Sequence, residues 1–245
     1  MRKKGRNMTE RPLLLLALTV ALTACEARGR PAPEPEVVDP RTVVSFETLY
    51  AANCAGCHGA RGQGGAALGL ASPGYLAIVP DAAIRQVIAS GRPRTAMPAF
   101  AQSAGGMLTD AQVDALVAGI RAWAPAGVQP DPQAPPYQAS APGDAGRGAQ
   151  VFRDHCGSCH GVDGRGGKGR GSIVDGSYLD LVSDQSLRTT IIAGRPDLGS
   201  PDWRGNGGTP MSAEDVSDAV AWLAAQREQF PGQPYPSTQT TGSKQ

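Results

Sequence analysis

Aromatic residues are scarce: they make up 5% of 245 residues, and hydrophobic residues of all kinds only 40%. Glycine (32) and proline (21) together exceed a fifth of the chain. Such a composition suits either a partly disordered chain or a fold whose core is filled by something other than side chains. An excess of positive charge is also missing. With 23 Lys and Arg against 22 Asp and Glu, no basic stripe is available for nucleic acid. Strand-like alternation of apolar and polar residues is absent from the segments that read as regular structure, which excludes a sheet protein. Histidine (3) and cysteine (5) are rare enough for each to be accounted for.

What is present begins with a leader. Arg2, Lys3, Lys4, Arg6 and Arg11 form a basic start, and Leu13 to Leu22 is an apolar run too short to span a bilayer. It ends in Leu22-Thr23-Ala24-Cys25, with small residues directly before a cysteine. That resembles the lipobox of bacterial lipoproteins, which implies cleavage after residue 24 and a lipid on Cys25. An ordinary signal peptide containing a cysteine is the plainer reading. Removing 1–24 takes away five basic side chains and one acidic one, leaving 18 against 21. The expected location is the periplasmic side of a bacterial membrane, with the lipid anchor at Cys25.

Composition divides the remainder. Residues 25–40 are a Pro-rich tether, 125–142 (PAGVQPDPQAPPYQASAP) a Pro-rich linker of the same stiff, solvated kind, and 230–245 a polar tail. Between them lie two modules, 41–124 and 143–229, which are internal repeats. Residues 52–65 match 154–167 at an offset of 102. After a one-residue insertion the offset is 103, pairing Tyr75 with Tyr178, Asp81 with Asp184, Gly91-Arg92-Pro93 with Gly194-Arg195-Pro196, and Phe100 with Trp203. Each module reads as three main helices. The first places Phe46 and Tyr50, or Gly148 and Phe152, on one face. The second starts at an Asp cap (Asp81, Asp184) and stops at the Gly of Gly-Arg-Pro. The third starts at Thr109 or Ser212 and buries Val113, Leu116, Val117 and Ile120, or Val216, Val220 and Leu223.

Four of the five cysteines form Cys54-Ala-Gly-Cys57-His58 and Cys156-Gly-Ser-Cys159-His160. Two cysteines three apart at a helix end can each add to one vinyl group of a haem, with the following His beneath the iron. A lone C-x-x-C also suits zinc or a redox dithiol. Here the His follows directly, the motif occurs twice in equivalent places, and an export signal precedes both.

Both modules resemble class I cytochrome c domains: a helix ending in C-x-x-C-H, a glycine-rich loop, a Met-bearing loop and a C-terminal helix packed across the first. The resemblance implies an all-α protein of two tandem cytochrome c domains joined by the Pro-rich linker, with two covalent haem c groups. It also implies a His and usually a Met as axial ligands, and it accounts for the thin core. Thr95-Ala96-Met97-Pro98-Ala99-Phe100 looks like the family's M-P-x-[FW] loop, which makes Met97 the expected sixth ligand of the first haem. Met107 is read as a packing residue. In module 2 the ungapped alignment puts Ser200 where Met97 stands. Met211, aligned with Leu108, is then either a ligand brought in by a refolded loop or a core residue that leaves the iron open. Arg92 and Arg195 are candidate partners for haem propionates. His155, next to Cys156, is read as a surface residue.

The expected function is transfer of single electrons between membrane-associated respiratory or photosynthetic complexes, as a tethered carrier or a subunit. Partners would be a quinol-oxidising complex, an oxidase, a dehydrogenase or a reaction centre. A rival reading is a peroxidase-like enzyme or gas sensor with an open iron in module 2. Diheme peroxidases use extra distal histidines, and only His155 is spare. A docking module that relays electrons inside a complex is a third reading.

Overall fold

The computed structural model describes residues 38–129, 131–167, 170–205 and 208–228. Cys25, the leader, most of the tether and the tail lie outside them. Module 1 is built from α1 (Phe46–Asn53), α2 (Ala55–His58), α3 (Pro73–Ile78), α4 (Asp81–Ser90) and α5 (Asp110–Arg121). Module 2 repeats the order with α6 (Ala145–His155), α7 (Gly157–His160), α8 (Gly176–Leu181), α9 (Asp184–Ala193) and α10 (Ala213–Ala224). Among the described residues there is no strand, only isolated bridges, so the fold is all-α.

The helix boundaries follow local chemistry. Thr109 and Ser212 cap α5 and α10 as expected, each in a reciprocal capping box with the side chain three residues on, Gln112 and Asp215. The caps of α4 and α9 fall one residue earlier than expected, at Pro80 and Ser183. Asp81 and Asp184 occupy the first turn instead, where a carboxylate meets the positive end of the helix dipole. Both helices end at a glycine of positive φ, Gly91 (64°) and Gly194 (69°). A Cβ on Gly91 would lie 2.5 Å from the carbonyl carbon of Pro98, so the Met97–Pro98 loop can close over this position only if it has no side chain.

In each module the first helix crosses the last at close range. In module 1 the Phe46 ring sits in the space above Gly119, where a Cβ would be 2.0 Å from the ring. Phe46, Tyr50 and Trp123 then form a tilted and edge-to-face set with centroids 4.9–5.5 Å apart. In module 2 the glycine is on the first helix: a Cβ on Gly148 would lie 2.0 Å from the Asp218 carbonyl oxygen. The buried Asp218 carboxylate accepts from the Asp144 backbone N–H (2.6 Å) and Arg147 Nε (2.8 Å), which anchors the start of α6. Phe152 and Trp222 stack at 4.2 Å.

From Pro40 onward the chain is one unit. Ala193 of α9 is buried in the apolar cluster of module 1, and Ile78 of α3 packs on the cluster of module 2. The Pro-rich segment 125–142 differs from a solvated spacer. Arg188, 3% exposed, donates from Nε and Nη2 to the Pro136 carbonyl and from Nε to that of Tyr137. Gln185 donates to the same Tyr137 carbonyl, while the Tyr137 ring packs on the module 1 cluster. Proline withholds donors but leaves every carbonyl free to accept, and a buried guanidinium needs such acceptors. Met107 is 81% exposed rather than packed, because Leu108 beside it fills the core.

Candidate haem sites

Each C-x-x-C-H motif straddles a break between two helices. Cys54 ends α1 and caps α2, and the N–H groups of Cys57 and His58 both turn back to its carbonyl. Cys156, Cys159 and His160 repeat this between α6 and α7. The turn presents both thiols and the imidazole from less than two turns of helix. Burial, reinforced by the neighbouring cysteine, pushes the Cys54 and Cys156 thiols up to about 11. Among the described residues no three His, Cys, Asp or Glu side chains converge as metal ligands.

The histidines are prepared for a ligand role. His58 Nδ1–H donates to the Leu68 carbonyl at 2.7 Å, which leaves Nε2 with its lone pair. Burial lowers the His58 pKa below its ordinary value; the Leu68 carbonyl opposes this, and the Arg195 guanidinium adds to it. His160 is lowered first by burial and then by Arg170, with the Gly171 backbone acting in the opposite sense. Its Nδ1 is buried and closes no full hydrogen bond. The Gly171 backbone thus approaches His160 as the Leu68 carbonyl approaches His58, but more loosely. Neutral imidazole is the form that ligates iron, and both motifs fit covalent haem c.

The loop that follows α4 is tightly tied. Arg92 N–H donates to the Met97 carbonyl (2.9 Å), Thr95 Oγ1 to the Arg92 carbonyl (2.9 Å), and Met97 N–H to Thr95 Oγ1 (3.2 Å). Arg94 within this turn has φ 59°, the one non-glycine residue of positive φ among the described residues. Met97 is half-buried. The Arg92 guanidinium donates to Tyr137 Oη at 3.3 Å. In module 2 the corresponding loop contains a short 3-10 helix, Pro196–Leu198, followed by Gly199 in the left-handed region. Ser200 is half-buried there, Met211 is buried, and His155 is half-buried on α6, one residue before Cys156.

Arg195 has a task that sequence reasoning missed. It grips Asp197 through Nε (2.9 Å) and Nη2 (2.8 Å), and Nη2 also donates to the Gly65 carbonyl of module 1 at 3.0 Å. Asp197 in turn accepts from the Gly64 N–H at 2.9 Å. Arg195 holds the Asp197 carboxyl at about 2, far below its ordinary value, and both side chains are 10% exposed. Arg195 is thus committed to the glycine-rich loop that follows the first haem motif. Nearby, Ala96 N–H donates to the Leu181 carbonyl at 3.3 Å. The Met97 loop therefore touches module 2, and the Ser200 loop touches module 1. A signal was available: Arg94 and Asp197 occupy equivalent repeat positions with opposite charge.

Residues 42–118 and 143–223 each match the family described as cytochrome c oxidase, cbb3-type, subunit III. The chain belongs to this cytochrome c family. It carries electrons through haem c, and its two matched segments coincide with the two modules. The "Cytochrome bc1 complex cytochrome c subunit" of Mycobacterium tuberculosis is 30% identical over 235 residues, covering 93% of this chain and 79% of that protein. The "Cbb3-type cytochrome c oxidase subunit CcoP" of Rhodobacter capsulatus is 38% identical over 77 residues, covering 30% of this chain and 26% of that protein. The "Dihydro-heme d1 dehydrogenase" of Pseudomonas aeruginosa is 46% identical over 72 residues, covering 29% of this chain and 14% of that protein. Among the described residues no helix is long and apolar enough to cross a membrane.

Proposed function

We propose that this cytochrome carries two haem c groups and passes single electrons from a quinol-oxidising complex towards a terminal oxidase, as a subunit held at the periplasmic face of a bacterial membrane by a lipid on Cys25. Cys54, Cys57 and His58 would hold one haem, with Met97 as its sixth ligand. Cys156, Cys159 and His160 would hold the other. Haem supplies the one-electron couple; the protein supplies ligation, burial and orientation. A thioether opposite a histidine raises the potential, which suits an electron path leading away from quinol. Arg92 keeps guanidinium donors for a propionate, whereas those of Arg195 are engaged by Asp197 and Gly65.

The observation that carries this reading is the packed seam between the modules. The Arg195–Asp197 pair and the Leu181 contact hold the ligand loop of each module against the other module, as a two-centre relay requires. The long match to a bc1 complex subunit supports the choice of partner. Mild detergent extraction, followed by quinol addition, tests it. Co-purification with a quinol-oxidising complex and quinol-driven reduction of both haems is the expected result. Recovery as a freely exchanging monomer that quinol plus complex cannot reduce overturns it. Loss of membrane retention in Cys25→Ser checks the anchor.

A further inference from the structure

Module 2 keeps the backbone of the ligand loop but not its ligand. The Met97 carbonyl accepts from Arg92 N–H at 2.9 Å, and the Ser200 carbonyl accepts from Arg195 N–H at 3.0 Å. Farther along, Leu108 N–H donates to the Phe100 carbonyl at 2.7 Å, and Met211 N–H to that of Trp203 at 2.9 Å. These two pairs of bonds fix the register on both sides of the loop. Ser200 takes the place of Met97, and Met211 takes the place of Leu108.

Neither residue is a suitable donor to iron where it stands. Met211 is 5% exposed and packs with Ile192, Trp203, Val216 and Ala219. Withdrawing its side chain would open a cavity in that cluster. A serine hydroxyl is a hard, neutral oxygen and a poor match for ferrous haem iron. The loop is also pinned from the other side of the module. Arg170 donates to the Leu198 carbonyl at 3.0 Å and to the Gly199 carbonyl at 2.9 Å, the two residues before Ser200. All four described cysteines lie in the motifs, and His155 directly precedes Cys156 on α6.

We infer that the described residues of module 2 supply a histidine on one face of its haem and no side-chain ligand on the other. That axial position is then a binding site for water at rest and for small exogenous donors such as imidazole or cyanide. The inference rests on the two-haem reading above, so the haem content is measured first.

Pyridine haemochrome and intact mass should give two haems per chain; one haem would end the two-haem reading and this inference with it. Low-temperature EPR of the oxidised protein should then show one low-spin and one high-spin haem, and excess imidazole should convert the second to low-spin. Ser200→Met should convert the high-spin species to low-spin and roughly double the methionine-to-iron charge-transfer band. Met211→Leu should leave the spectrum unchanged. Two low-spin haems in the wild type overturn the inference, and loss of one of them in Met211→Leu would name the ligand.

Discussion

Modules 1 and 2 build the same helix crossing with the glycine on opposite sides. In module 1 the aromatic Phe46 is on the first helix and Gly119 on the last; at the equivalent positions module 2 has Gly148 on the first and Trp222 on the last. Each pair combines one large and one absent side chain, so the crossing needs a fixed combined volume and not a fixed residue at either place. The two solutions differ in what the glycine faces. Gly119 faces a half-buried ring that can turn outward, whereas Gly148 faces the backbone carbonyl of Asp218, which cannot move without α10. The largest predicted effect follows from that difference. Gly148→Ala should destabilise the holoprotein by about 3 kcal/mol or more, because the two helices must separate. Gly119→Ala should cost about 1 kcal/mol, since ring rotation and the better helix propensity of alanine offset part of the clash. Thermal unfolding followed by far-UV circular dichroism checks both, and equal losses would show that the two crossings are equally rigid.

The seam between the modules gives the next effect. Asp197 has its carboxyl held at about 2 by Arg195, so folding favours its ionised form. The ordinary value is near 3.8. The contribution is therefore complete above about pH 4 and is lost as pH falls towards 2, amounting to at most about 2 kcal/mol. Asp197→Asn should lose that stability at neutral pH and should flatten the dependence between pH 4 and 2. Its repeat counterpart, Arg94→Gln, removes no ion pair and should leave the acid limb unchanged. Acid titration of the unfolding midpoint in the three proteins measures this, and an unaltered acid limb in Asp197→Asn would assign the limb to other carboxylates.

Much of the architecture was legible because it rests on local chemistry. The C-x-x-C-H turns, the Thr109 and Ser212 caps and the glycine ends of α4 and α9 each depend on a few neighbouring residues. The missed elements depend on partners distant in sequence. Helices α3 and α8 are six residues each, too short to show a period. The corners after them are clamped by Arg121, on the Leu76 and Val79 carbonyls and Asp81, and by Arg227, on the Leu179 and Val182 carbonyls and Asp184. The carbonyls and carboxylates are exact repeat counterparts, but the arginines are not: Arg121 aligns with Ala224, and Arg227 reaches back from three residues later. Alignment therefore hides a shared clamp. Similarly, composition shows that 125–142 is stiff, but only the buried Arg188 shows that it is docked. At the sites, the haem motifs were legible in the sequence, while the interface role of Arg195 depended on Gly65, 130 residues away.

The smallest effect concerns how the Met97 and Ser200 loops turn. Both need left-handed backbone; module 2 provides it with Gly199 at φ 70°, and module 1 with Arg94 at φ 59°. A side chain in that region is strained by about 1 kcal/mol, and part of the relief from glycine is offset by the greater freedom of the unfolded chain. Arg94→Gly should therefore stabilise the protein by about 0.5 kcal/mol, and Gly199→Ala should destabilise it by about 1 kcal/mol. The strained turn lies three residues before Met97 and is closed by the Arg92, Thr95 and Met97 bonds, so under the proposed ligation its rigidity would bear on how readily the thioether leaves the iron. Arg94→Gly should then let imidazole displace Met97 faster in stopped-flow mixing, even though the fold is more stable. An unchanged displacement rate would show that the hydrogen bonds alone hold Met97, with the strain at Arg94 a by-product of the turn.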